Sequence, residues 1–124
     1  MMAQGRCSAM AVTVLLCLLL LHFESVRSAT FTVGGSGGWT FNATAWPKGK
    51  RFRAGDTLVF NYSPSIHNVV AVNRGGYNSC KAPKGAKVLS SGKDQIKLRK
   101  GQNFFICNSI GHCQAGMKIA VLAA

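Results

Sequence analysis

Short runs of β-branched and aromatic residues, separated by glycine, proline and asparagine, limit most strongly what this chain can fold into. They lie beyond position 28, at 31–33, 57–62, 68–73, 87–89, 95–98, 103–107 and 117–122. No window there has a helical apolar period over ten residues; we expect one short helical turn near 42–46 and a plain turn at 73–76. The pattern predicts an all-β sandwich or barrel of about seven or eight strands.

The first 28 residues have the three parts of a secretory signal peptide. Arg6 precedes an apolar run at 9–21, and polar residues follow as far as Ser28. Because a membrane span needs about 18–20 apolar residues, we favour a cleaved leader over an anchor. The small residues Val26 and Ser28 predict cleavage before Ala29. The predicted domains are therefore a signal peptide at 1–28 and one secreted domain at 29–124, and we expect no lipid anchor at the C-terminus.

Cysteine usage indicates one disulfide and one thiol with another role. The predicted cleavage removes Cys7 and Cys17 and leaves Cys80, Cys107 and Cys113. In an oxidising compartment two of these three should pair. If Cys107 is a metal-binding thiolate, Cys80 and Cys113 remain for the disulfide. A Cys107–Cys113 bridge with Cys80 free is the alternative.

The predicted mature domain is strongly basic. From Ala29 onward, nine lysines and four arginines stand against two aspartates, which gives a net charge of +11. Such a surface attracts polyanions, here acidic polysaccharide or acidic protein faces, unless the charge serves only solubility. We expect no nucleic-acid partner for a secreted chain, and a monomer. The charges cluster at two places in the sequence, which are Lys48, Lys50, Arg51 and Arg53, and Lys81, Lys84 and Lys87.

The stretch CNSIGHCQAGM at 107–117 carries donor atoms that metals accept. Cys107, His112 and Met117 follow one another at intervals of five residues, among residues that permit tight turns. A loop of this length between two strands can bring all three donors to one point. His67, at the mouth of another predicted strand, supplies a second imidazole.

The softness of these donors favours copper over zinc. Two histidines and a cysteine with a weak axial methionine form the donor set of blue copper sites. Zinc prefers four strong ligands, such as the three cysteines and a histidine, and would leave no disulfide. A copper oxidase would need further histidines for an oxygen-reducing cluster, and only His67 and His112 remain after cleavage. We therefore expect a copper protein that is not an enzyme.

The sequence resembles the phytocyanins, the plant branch of the cupredoxins, and among them the plantacyanin branch. The resemblance covers nearly all of the predicted mature domain. The stretches that carry it are GGSGGWTF at 34–41, WPKGKRFRAGDTLVFNY at 46–62, HNVVAVN at 67–73 and CNSIGHCQAGMKI at 107–119.

The resemblance implies a cupredoxin-like Greek-key β-sandwich with one type 1 copper. His67, Cys107 and His112 would be its equatorial ligands and Met117 its axial ligand, where the stellacyanin-like branch has glutamine. It also implies a disulfide between Cys80 and Cys113 and secretion to the cell wall.

We accordingly expect a one-electron carrier for an unknown redox partner, with the outer edge of His112 as the point of electron entry and exit. The alternative is a basic cell-wall binding or signalling module in which copper is secondary.

The N–H of Asn68 is expected to tune the copper thiolate. Asn42 begins an Asn-Ala-Thr motif and is a possible glycosylation site. Asp56 is expected to be a turn residue.

Overall fold

Seven strands and one short helix make up the regular structure that the computed structural model describes, which covers residues 27–124. The predicted leader lies outside these residues, apart from its last two positions. Each predicted strand is found within two residues of its expected ends. The strands are β1 Thr30–Thr32, β2 Thr57–Asn61, β3 Val69–Val72, β4 Val88–Leu89, β5 Lys93–Lys97, β6 Gly101–Ile106 and β7 Lys118–Ala123.

The strands form two sheets, and the predicted all-β sandwich is confirmed. One sheet has the order β1-β2-β5 and the other has the order β4-β3-β6-β7. Only β1 and β2 run parallel, and the remaining pairs are antiparallel. The chain changes sheet between β2 and β3, between β4 and β5, and between β5 and β6. Such crossings characterise Greek-key sandwiches.

Aromatic and aliphatic side chains fill the space between the sheets. Trp39 meets Phe60 edge to face at 5.1 Å between ring centroids, and Phe60 meets Phe105 at 5.3 Å. Trp39 is fully buried, and its Nε1–H donates to the carbonyl oxygen of Asn68 at 2.9 Å. Cys107 and Met117 belong to the same buried cluster. The end of the core therefore borders the predicted metal loop.

The turn predicted at 73–76 is wrong, because these residues begin a helix, α1 Arg74–Ser79. Asn73 caps it, and its Oδ1 accepts the N–H of Gly76 at 2.8 Å. Two glycines lower the helix propensity here, so the helix depends on tertiary contacts such as Tyr77 against Phe104. The turn expected near 42–46 is a 3₁₀ turn at Ala43–Ala45, and another 3₁₀ turn lies at Gly35–Gly37. Among the described residues no helix has the length and apolar character needed to cross a membrane.

Tyr62 connects the two sheets through its hydroxyl group. The hydroxyl lies 3.0 Å from the carbonyl oxygen of Leu89 in β4, and it also hydrogen-bonds the carboxylate of Asp94 in β5. Burial, followed by the bond to Asp94, raises the pKa of Tyr62 to about 12. The folded state therefore holds this proton more tightly than the unfolded chain does.

We predict that Tyr62 makes folding sensitive to alkaline pH. Its stabilising contribution is complete below pH 10, the ordinary tyrosine pKa, and is lost as the pH rises through about 12. Allowing for solvent screening, wild-type protein should lose about 1–2 kcal/mol more than Tyr62→Phe over this interval. Denaturant unfolding at pH 10 and 12 measures the difference. Equal losses in the two proteins would contradict the assignment.

Candidate metal centre

The pairing of β3 with β6 brings the predicted ligands to one edge of the sandwich. In this antiparallel pair Val70 lies opposite Ile106, so the start of β3 meets the end of β6. His67 precedes β3 by two residues, and Cys107 directly follows β6. The β6–β7 pairing then closes the loop, since Ile106 lies opposite Lys118. His112 is carried by that loop.

The structure brings together the three strongest predicted donors. The ligating atoms of His67, Cys107 and His112 all lie within 4.8 Å of one another. The two Nδ1 atoms of the histidines are 3.0 Å apart, and Sγ of Cys107 is 3.6 Å from Nδ1 of His112. A thiol and two imidazoles therefore converge on a single point.

Met117 lies at the base of the same loop and is fully buried. Main-chain bonds hold it beside two of the donors. The N–H of Cys107 donates to the Met117 carbonyl, and the N–H of Met117 donates to the His112 carbonyl, each at 3.0 Å. The structure thus places Met117 next to the cluster, and its sulfur as axial ligand stays a prediction.

Burial shapes the electrostatics of the cluster. Cys107 has no exposed surface, and His67 is 7% exposed, whereas His112 is half-buried. Burial, followed by repulsion from His112, lowers the pKa of His67. The lowered pKa favours the neutral imidazole, which is the form that binds metals.

A disulfide joins Cys80 to Cys113, and Cys107 is the one free cysteine in the described part of the chain. The alternative Cys107–Cys113 bridge is therefore wrong. The bond connects the residue after α1 to the residue after His112, so it anchors the metal loop to the helix. It also removes two sulfurs that the zinc alternative required.

Asn68 braces the two segments that carry the ligands. Its Oδ1 accepts the N–H of Asn108 at 2.6 Å, and its carbonyl oxygen accepts the indole N–H of Trp39. A parallel link runs from the Ser109 hydroxyl to the Ile66 carbonyl at 3.0 Å. Asn68 thus acts at the site through its side chain, which the sequence did not reveal. Donation from its own N–H to the Cys107 sulfur stays a prediction.

Phe41 is a site residue that the sequence analysis missed. Its ring meets the imidazoles of His67 and His112 edge to face, with centroids 5.5 Å and 4.9 Å away. The segment behind it is fastened to the loop, because the N–H of Ala43 donates to the Gly116 carbonyl at 3.0 Å. Asn42 is exposed in this segment, and its glycosylation stays a prediction.

Comparison with known proteins gives the family. The family model described as a plastocyanin-like domain matches residues 39–117, which run from the buried tryptophan to the methionine of the loop. The chain belongs to the plastocyanin-like family, in its phytocyanin branch. All four residues expected as ligands fall within the matched part.

Relatives of this phytocyanin agree with the match. A basic blue protein of Arabidopsis thaliana is 60% identical, over 98% of this chain and 99% of its own length. A basic blue protein of Cucumis sativus is 70% identical, over 77% of this chain and 99% of its own. The solved structure named cucumber basic protein, a blue copper protein, is 69% identical, superposes with a TM-score of 0.75 and covers the same shares. The predicted cupredoxin-like fold is confirmed.

We predict that the Asn68 side chain stabilises the metal loop. Asn68→Ala removes the acceptor for the Asn108 N–H and should lower the free energy of unfolding by about 1 kcal/mol. Asn68→Asp keeps an oxygen at that place and is the matched control. Denaturant unfolding of the metal-free proteins measures stability, and hydrogen exchange at the Asn108 amide reports the bond. Unchanged exchange in Asn68→Ala would contradict this role.

Proposed function

We propose that this protein is a secreted blue copper protein that carries one electron at a time. One observation supports this most directly. The only free cysteine of the described chain is fully buried, and its sulfur lies beside two imidazole nitrogens within 4.8 Å. A structural cysteine would need no such neighbours.

The donors present fit copper. Thiolate and imidazole together suit copper, and a weakly bound thioether at the axial position is typical of blue copper sites. His67, Cys107 and His112 would hold the metal, and the thioether of Met117 would complete the donor set. Within residues 27–124 no other cluster of three such donors is found, and the remaining two cysteines are paired. Bound copper would supply the Cu(II)/Cu(I) couple.

The chain's part in electron transfer is to keep the donors at fixed positions. Main-chain bonds close the loop between Cys107 and Met117, the disulfide anchors Cys113, and Asn68 ties the β3 side to the β6 side. Cu(I) and Cu(II) prefer different donors and coordination geometries. Donors that are held in fixed positions cannot rearrange far toward either preference. Little therefore has to move when an electron arrives or leaves, and transfer is fast.

His112 is the proposed point of electron exchange, because it is the ligand that reaches furthest toward solvent. Exposed apolar residues occur in the segments around it: Phe41 meets its ring, Ile110 lies in the same loop, and Ile66 precedes His67 in sequence. Ile110 is completely exposed, Phe41 is 41% exposed, and Ile66 is 55% exposed. A redox partner could approach these residues without displacing charged groups and their water.

Extracellular location follows from the predicted leader at 1–28, and the disulfide supports it, since such bonds persist in oxidising compartments. We propose a carrier and not an oxidase. Both histidines downstream of the predicted cleavage point belong to the same cluster, so neither remains to build an oxygen-reducing centre.

We predict that the blue colour depends on the sulfur of Cys107. Protein loaded with Cu(II) should show the intense visible band of thiolate-to-copper charge transfer, and Cys107→Ser should abolish it. Met117→Gln is the matched control, because it should keep the colour and lower the reduction potential. Absorption spectra and redox titration measure both effects, with circular dichroism as the check on folding. Full colour in folded Cys107→Ser would contradict the assignment.

A groove on the surface supports a second proposed activity, which is binding of acidic polysaccharide. The groove has a volume of about 760 Å³, and its lining combines apolar residues such as Tyr77 and Leu122 with a group of cations. Sugar rings can lie on the apolar part while carboxylates meet the cations. The cations are Lys48, Lys50, Arg51 and Arg53. This activity can coexist with electron transfer, because the groove includes none of the proposed ligands.

We predict that the groove, and not the overall charge, sets polysaccharide affinity. Replacing Lys48, Arg51 and Arg53 by glutamine should let the protein elute from immobilised polygalacturonate at markedly lower salt. The same change at Lys81, Lys84 and Lys87 removes an equal charge elsewhere and should have a smaller effect. Equal effects of the two triple variants would contradict a groove site. The reduction potential should change little in either.

A further inference from the structure

We propose that removal of the leader creates an α-ammonium group at Ala29 that forms an ion pair with the buried carboxylate of Asp56. The Asp56 carboxylate would then bind the new N-terminus. The inference rests on the predicted cleavage between Ser28 and Ala29, and it is independent of copper.

Asp56 is a buried carboxylate whose hydrogen-bond donors among the described residues are all uncharged. It is 2% exposed, although the sequence suggested a simple turn residue. Its Oδ1 accepts the N–H of Ala29 and its Oδ2 accepts the N–H of Arg53, each at 2.8 Å. Within residues 27–124 these two main-chain groups are its hydrogen-bond donors, and neither carries a charge. A buried carboxylate without a cation is costly, and a paired one is far less so.

The Ala29 nitrogen is held in place by the fold itself. The carbonyl oxygen of Ala29 accepts the N–H of Thr57 at 2.9 Å, and the parallel pairing of β1 with β2 starts at Thr30 and Thr57. On the other side, the Asp56 carbonyl accepts the N–H of Leu98 at 2.7 Å. Nitrogen and carboxylate are thus positioned by strands that lie wholly downstream of the cleavage point.

Cleavage changes the charge on this nitrogen without moving it. Hydrolysis of the Ser28–Ala29 bond consumes one water, leaves a carboxylate on Ser28, and leaves an amine on Ala29 that takes up a proton at neutral pH. The uncharged N–H bond to Asp56 becomes a charge-assisted one, which is roughly twice as strong. Ala29 is exposed, so the remaining ammonium hydrogens can stay hydrated.

The contact also distinguishes one cleavage point from its neighbours. A cut one residue earlier would displace the ammonium by about 3.8 Å, one Cα spacing, and leave an uncharged amide against Asp56. The length of a relative agrees with the predicted point. The cucumber basic blue protein is matched along 99% of its length by 77% of this chain, which is the share that residues 29–124 represent.

The test compares three chains: one that begins at Ala29, the same chain acetylated at Ala29, and one that begins at Ser28. All the described strands lie between Thr30 and Ala123, and the cucumber structure covers the same share of the sequence, so these chains contain the whole fold. Acetylation keeps the N–H and removes only the charge. Denaturant unfolding at pH 7 gives the stability of each chain, copper-loaded and metal-free.

We expect acetylation to increase the unfolding equilibrium constant roughly tenfold or more, and the chain beginning at Ser28 to behave like the acetylated one. In an Asp56→Asn background, acetylation should change nothing. Equal stability of the free and acetylated chains, or an equal loss in Asp56→Asn, would overturn the proposal. If Asp56→Asn does not fold, the chain beginning at Ser28 decides, because there the ammonium is present but misplaced.

Mass spectrometry of the protein secreted from plant cells gives the natural N-terminus and completes the test. An N-terminus at Ala29 supports the proposal, and any other N-terminus overturns it. The metal-free measurements separate this result from the proposed function. A chain that takes up no copper could still show the ion pair, and a blue protein could lack it.

Discussion

The antiparallel register of β3 and β6 is the constraint on which the rest of the metal centre depends. With Val70 opposite Ile106, the residues before β3 and after β6 have to meet at one edge of the sandwich. His67 and Cys107 come from distant parts of the chain, and this pairing alone places imidazole beside thiol. A register shifted by one residue would turn the side chains of β3 to the opposite faces and separate the pair. The β-sheet is therefore part of the metal site.

Local patterns revealed most of the fold, since strands are marked by short-range alternation and by glycine or proline between them. The predicted ligands could be found for a similar reason, because three of them share one loop and their donor atoms are distinctive. Helix α1 was missed because its two glycines lower the local helix propensity. In the folded protein the Asn73 cap and the packing of Tyr77 on Phe104 stabilise it. The bonds of the Asn68 side chain and of Asp56 were also missed. The bonds from Asn68 to Asn108 and from Asp56 to Ala29 join residues far apart in sequence, and only the paired strands bring them together.

The contacts that hold the metal loops and the proposed ion pair at Ala29 lie at opposite ends of the β-sandwich. The Asn68 brace, the disulfide and the Phe41 segment hold the loops at the metal edge. Asp56 holds the beginning of β1 through Ala29 and the turn before β2 through Arg53. The donors thus gain their fixed positions from the sandwich as a whole, and the loop alone would not provide them.

The burial of the free cysteine bears on how the chain matures. Three thiols allow three different single disulfides, and two of the three would consume Cys107 and destroy the donor set. The productive outcome is favoured when the sandwich buries this sulfur before an oxidant reaches it, while Cys80 and Cys113 are still accessible. Oxidative maturation is then a competition between collapse of the sandwich and attack on the thiol, and a mispaired chain would need thiol–disulfide exchange to recover its donor set.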